Sequence, residues 1–139
     1  RYPSCRTNER KEADMHVHSE SEQSTAQLPG IEHRTLAGAA SGLAHLSVWR
    51  QEMASGAATP EHRHDCEEVI LVEAGHGELV IEGSHHAFAP RTTLVIPPNV
   101  DHRLVNTGSD PLRTVAIFSV SPVKVTRSDG QPLPLPWAT

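Results

Sequence analysis

In the stretch "GAATPEHRHDCEEVILVEAG", residues 56–75, a polar segment rich in histidine runs directly into an apolar strand. His62 and His64 stand two apart, and in an extended chain residues two apart face the same side, so both imidazoles can aim at one point. Glu68 opens the run "EVILV" and shares parity with Ile70 and Val72, the positions that would face a core. A carboxylate facing a core is costly unless it is paired or bound to a cation. Two imidazoles and an inward carboxylate therefore read as the start of a metal site. Glu67, of opposite parity, is expected in solvent, and Cys66, in the loop between the two strands, is expected to be a bystander.

On either side of this stretch lie more short β-rich runs: "IEHRTL", "LAHLSVWRQEM", "GELVIEG", "HHAFA", "TTLVIP", "HRLVN" and "LRTVAIFSV". Gly, Pro, Asn and Asp separate them, as in "ASGAATP", "PPNVD" and "NTGSDP". Many short strands at close spacing argue for an all-β fold, a sandwich or barrel of antiparallel strands. The barrel is expected to occupy 28–127. Residues 1–27, polar and without apolar periodicity, are expected to form a flexible tail or arm. Within them Met15 is a candidate natural start, which leaves open whether residues 1–14 are native or vector-derived. Residues 128–139 contain three prolines and are expected to run extended along the barrel, with Trp137 docking on its wall.

Downstream, "RTTLVIPPNVDHRLVN" places His102 at the start of a strand after a turn, where it can close the site from across the barrel. Residues 56–75 match the first motif of the cupin superfamily, G-x5-H-x-H-x3-E-x6-G, at Gly56, His62, His64, Glu68 and Gly75. Pro97, His102 and Asn106 match its second motif, G-x5-P-x-G-x2-H-x3-N, while Arg91 and Asn99 replace two glycines. Asn tolerates positive φ, so Asn99 can still make its turn, whereas Arg91, after Pro90, suggests a different hairpin turn. The chain thus resembles a small single-domain cupin, with the likeness extending over about 31–125. The resemblance implies a conical antiparallel β-barrel of jelly-roll type. It also implies one divalent transition metal per chain, held by His62, His64, Glu68 and His102. Such an N/O donor set suits Fe, Mn, Ni, Co, Cu or Zn better than Ca or Mg.

A near-copy, "HVHSESE" at 16–22, also satisfies H-x-H-x3-E through His16, His18 and Glu22. It lacks the preceding glycine, the apolar strand and a fourth partner, and is read as part of the tail. The remaining histidines have ordinary explanations, except that "LAHLSVWRQEM" places His45, Ser47, Trp49 and Gln51 on one face. If that face lines the cavity, these four are substrate contacts. Arg103, beside His102, is a further candidate for holding an anion at the barrel mouth, with a solvated arginine as the favoured account.

The bulk numbers exclude some functions. With 12 basic against 17 acidic residues, a formal charge of −5 and no Lys/Arg run, nucleic acid and anionic membrane are poor partners. No apolar run approaches a transmembrane span. The two cysteines, Cys5 and Cys66, form no disulfide framework and suit a reducing cytoplasm. The favoured expectation is a metalloenzyme acting on a small oxygen-rich molecule, with oxygenase chemistry leading. A Lewis-acid isomerase, cyclase or lyase, and a non-catalytic ligand-binding barrel, are the alternatives. Proton-transfer chemistry would need a base, for which His45, Glu52 and Glu78 are the candidates. Cupin likeness also implies a homodimer, with 1–27 or 31–37 as the exchanged strand.

Overall fold

The computed structural model describes residues 16–139, and its strands follow the β-rich runs closely. In chain order they are β1 (Thr25–Leu28), β2 (Ile31–Ala37), β3 (Ser47–Met53), β4 (His62–Arg63), β5 (Glu68–Ala74) and β6 (Gly77–Ile81). Then come β7 (Ser84–Phe88), β8 (Thr93–Ile96), β9 (His102–Asn106), β10 (Leu112–Phe118) and β11 (Thr126–Arg127). They form a six-stranded sheet, β1-β2-β3-β10-β5-β8, and a five-stranded sheet, β11-β4-β9-β6-β7, antiparallel throughout. This is the all-β jelly roll of the cupin type.

Period-two burial builds the core. Glu68, Ile70 and Val72 of β5 face in, as do Leu112, Thr114, Ala116 and Phe118 of β10. On β3 the inward set includes Ser47, Trp49 and Met53. Trp49 lies opposite Ala116 across the sheet, so a large ring packs over a small neighbour. Gly75 has φ +91°, and a Cβ there would come within 2.7 Å of the Pro111 carbonyl, which leaves no room for a side chain.

Both positions where the second motif loses a glycine keep a left-handed backbone. Asn99 has φ +62° and Arg91 has φ +66°, so the turn at Arg91 is retained where a different one was expected. Backbone hydrogen bonds hold both: Arg91 N–H donates to the Val72 carbonyl at 2.8 Å, and Asn99 N–H to that of His64 at 2.6 Å. A β-carbon in this region costs ~1–2 kcal/mol, while glycine costs ~0.5–1 kcal/mol in unfolded-chain entropy. Arg91→Gly is therefore expected to stabilise the protein by about 0.5–1 kcal/mol in a denaturant titration. A lower midpoint would show that the turn stores no such strain.

The barrel begins earlier than expected. Residues 1–15, with Cys5 and Met15, lie outside the described residues, but the chain contacts the sheet from Glu20 onward. β1 pairs with β2 from Thr25, and a 3-10 turn at Glu20–Glu22 precedes it. Glu20 meets Arg50 at 2.6 Å, and the Gln23 amide donates to the Leu36 carbonyl at 2.8 Å. Polar and backbone contacts hold this arm, so apolar periodicity could not reveal it.

Candidate metal centre

The two sheets meet the site from opposite sides. β4 and β9 pair so that His62 and His102 stand directly across from each other, and His64 follows β4. Glu68 comes from the other sheet, as the first residue of β5. The ligand nitrogens of His62, His64 and His102 lie within 4.8 Å of one another, the one such group of His, Cys, Asp and Glu side chains among the described residues. Glu68 Oε1 is 3.3 Å from His102 Nε2 and 3.5 Å from His64 Nε2. His64, Glu68 and His102 are all buried, and His62 is half-buried.

Backbone carbonyls set the tautomers. His62 Nδ1 lies 2.7 Å from the Pro60 oxygen, His64 Nδ1 3.0 Å from that of Lys124, and His102 Nδ1 2.9 Å from that of Val100. A carbonyl can only accept, so each Nδ1 carries the hydrogen and each neutral ring keeps its Nε2 lone pair for the centre. Such outer bonds are the usual support of ligating histidines. Burial, with the neighbouring His102 and His64 charges, lowers the His62 pKa to about 4, and burial lowers that of His64 to about 4. Burial also pushes His102 down, but the Glu68 carboxylate 3.3 Å away outweighs it, and its pKa is raised. Glu68 Oε1 and His102 Nε2 are fully buried without a well-directed hydrogen bond. Inward lone pairs, a buried carboxylate and orphaned polar atoms are compatible with a divalent transition metal on the three histidines, with the Glu68 carboxylate beside them.

A cavity of about 60 Å³ opens from this cluster, room for roughly four waters. Its walls are largely apolar: Ile70, Ala116 and Phe118 from one sheet, Leu104 from the other, and Leu28 and Ile31 at the β1–β2 end. The C-terminal segment supplies the rest. After β11 it turns back, with Leu133 N–H donating to the Val125 carbonyl at 3.0 Å. Beyond that, Leu133, Leu135 and Trp137 line the cavity while Pro132, Pro134 and Pro136 are exposed. Trp137 lines the cavity, stacked on His33 at 3.7 Å and edge-on to Trp49 at 5.6 Å. Neither the Trp49 nor the Trp137 indole N–H has a hydrogen-bond partner among the described residues.

Of the sequence candidates for substrate contact, Trp49 and Gln51 line the cavity. Ser47 faces inward but donates its hydroxyl to the Val120 carbonyl at 2.8 Å and stays outside it. His45 is exposed in the bend before β3, because the strand starts only at Ser47. Arg103 alternates with inward-facing His102 and Leu104 on β9, so it lies on the outer face. Among the proposed bases, His45 and Glu52 are exposed and Glu78 pairs with His85 at 2.7 Å, so none lines the cavity. Glu67 is exposed as expected, and Cys66 is buried in the core outside the histidine cluster. Sequence reasoning missed His33, Thr59, Thr114 and the inward leucines of the C-terminal segment. The alternation "PLPLPW" was the available signal for the leucines.

Comparison with known proteins agrees with this geometry. Auxin-binding protein 1 of Arabidopsis thaliana is 36% identical over 107 residues, covering 70% of this chain and 54% of that protein. Auxin-binding protein T85 of Nicotiana tabacum is 35% identical over 128 residues, covering 84% of this chain and 68% of that one. The chain thus spans about half the length of the Arabidopsis relative and two thirds of the tobacco one. Among solved structures, an RmlC-like cupin from Shewanella frigidimarina superposes with a TM-score of 0.67 at 18% identity, covering 77% of this chain and 92% of that one, a likeness of fold alone. A family model described as auxin binding protein matches residues 5–138, nearly the whole chain, and the protein belongs to that family of cupins.

Proposed function

We propose that this protein is a ligand-binding cupin, in which a divalent transition metal on His62, His64, Glu68 and His102 anchors the carboxylate of a small, auxin-like aromatic acid. The observation that carries this reading is the cavity's polarity: a metal-competent cluster at one end, with apolar and aromatic walls leading away from it. The metal would supply a Lewis-acidic positive charge for the carboxylate. The chain's own residues do the rest. Phe118, Ile70 and Leu104 exclude water beside the cluster, and Trp49 offers a ring face. Binding ranks ahead of the oxygenase and isomerase expectations because the matched relatives are named for binding auxin. The bases named for proton transfer also stand outside the cavity.

The free space of about 60 Å³ is small against the ~300 Å³ or more of typical ligand pockets. An aromatic acid must therefore move part of the wall. The segment 133–137 suits this, since side-chain packing holds it beyond the Leu133 bond.

Calorimetry with metal-loaded protein tests the reading, using indole-3-acetic acid against its primary amide. The acid is expected to bind at least ~10-fold more tightly than the amide, because a buried charged contact is worth ~1.5–3 kcal/mol. Stripping the metal should remove the preference. Equal binding of acid and amide, or unchanged binding by metal-free protein, would refute the reading, and substrate-dependent oxygen uptake would favour catalysis instead.

A further inference from the structure

We propose that His33 is a positioning residue of the ligand cavity, which it never enters but whose polar handle, the side-chain amide of Gln51, it orients. The proposal rests on the reading of the cavity as a ligand site. His33 lies on β2 directly across from Gln51 on β3. It is 1% exposed and does not line the cavity, yet its contacts Trp49, Gln51 and Trp137 all do. One buried ring therefore touches three side chains that a ligand would meet.

Both ring nitrogens are engaged. His33 Nδ1 is 3.1 Å from Gln51 Nε2, and its Nε2 is 2.8 Å from the Thr35 hydroxyl. An amide nitrogen only donates, so Nδ1 must hold the lone pair, and Nε2 carries the hydrogen and donates to Thr35. This is the opposite tautomer to that of the three cluster imidazoles, whose Nδ1 atoms face carbonyls. The bond turns the Gln51 nitrogen toward β2. It leaves the second amide N–H and the carbonyl oxygen as the groups Gln51 can offer a ligand.

A purely structural role would be served as well by a phenyl ring, which would stack on Trp137 without a desolvation cost. Burial lowers the His33 pKa to about 4, so the ring stays neutral and Nδ1 remains an acceptor near neutral pH. The polar ring is thus kept where an apolar one would pack more cheaply, and its polar output goes to Gln51.

A double-mutant cycle tests this on metal-loaded protein, with indole-3-acetic acid as the probe. His33→Phe and Gln51→Ala are each expected to weaken binding by about 5- to 30-fold. The double variant should be no weaker than Gln51→Ala, and metal affinity should be unchanged in all three. His33→Asn, whose amide can meet Gln51 from where Nδ1 stood, should recover most of the loss that His33→Phe does not. Imidazole 15N spectra of the wild type should show the Nε2–H tautomer at His33 and the Nδ1–H tautomer at His62, His64 and His102 in the metal-free form. Multiplicative losses in the cycle, an asparagine no better than phenylalanine, or hydrogen on His33 Nδ1 would overturn the proposal. A metal-loaded wild type that fails to bind the acid would sink the ligand reading instead, and the 15N spectra would still decide the orientation of Gln51.

Discussion

Metal-loaded protein is expected to unfold about 10 °C above the metal-free form, and the His62→Ala/His102→Ala variant is expected to lose that difference. The donors come from β4, the residue after it, β5 and β9, and an unfolded chain cannot gather them. Binding to the native state alone stabilises it by about 2.7 kcal/mol at a hundredfold excess over Kd. For a chain of 139 residues, each kcal/mol moves the midpoint by roughly 3–4 °C. The double variant removes the two rings that face each other across β4 and β9. Its metal content on untagged protein should fall from about one equivalent to below ~0.1. His16→Ala/His18→Ala, which alters the other H-x-H-x3-E string, should leave the content unchanged. Stoichiometric metal in the His62/His102 variant would show that the centre lies elsewhere.

The second large effect is on acid stability. Metal-free protein is expected to lose stability steeply as pH falls from 6.5 toward 4. His33, His62 and His64 each have a native pKa lowered to about 4 from the usual 6.5. Below 6.5 the unfolded chain takes up protons that the native rings refuse, so stability falls with pH through that window. Each ring contributes up to ~1.4 kcal/mol per pH unit, so over the window from 6.5 to about 4 the three together remove up to roughly 10 kcal/mol, comparable with a typical margin of ~5–15 kcal/mol. His102 works the other way, because its native pKa is raised. Its stabilisation is complete below 6.5 and lost as pH rises through the native value, so it does not offset the acid slope. Guanidinium titrations at pH 7, 6 and 5 check this, and a stability that stays flat across them would contradict the buried neutral rings. In metal-loaded protein, protons compete first at His102, with affinity falling about tenfold per unit below its raised pKa.

Parity arguments carried most of the fold and the histidine cluster. His62 and His64 two apart, and Glu68 in phase with Ile70 and Val72, are local facts that survive folding because a strand preserves them. The same reasoning misplaced His45: it shares parity with Trp49, but parity means nothing before the strand begins at Ser47. Alternation sends Arg103 to the opposite face from His102, the side of the favoured solvated reading and not of an anion contact. The arm at 16–27 was illegible for another reason. Charge pairs such as Glu20–Arg50 hold it, and their partners stand 30 residues apart. His33 looked ordinary because its partners come from three separate segments, which only the folded chain brings together.

The inward side chains of Leu133, Leu135 and Trp137 ride on a backbone whose alternate residues are prolines. Proline offers no N–H, and past the Thr126–Pro132 bridge and the Leu133 bond to Val125 the segment belongs to no strand of either sheet. What the barrel needs in order to fold and what decides which molecule fits are thus written in different parts of the chain. Substitutions at 133, 135 and 137 can reshape the cavity's mouth while leaving strand pairing and the histidine cluster intact. Related proteins could in this way diverge in ligand choice through a handful of C-terminal replacements, with the scaffold carried along unchanged.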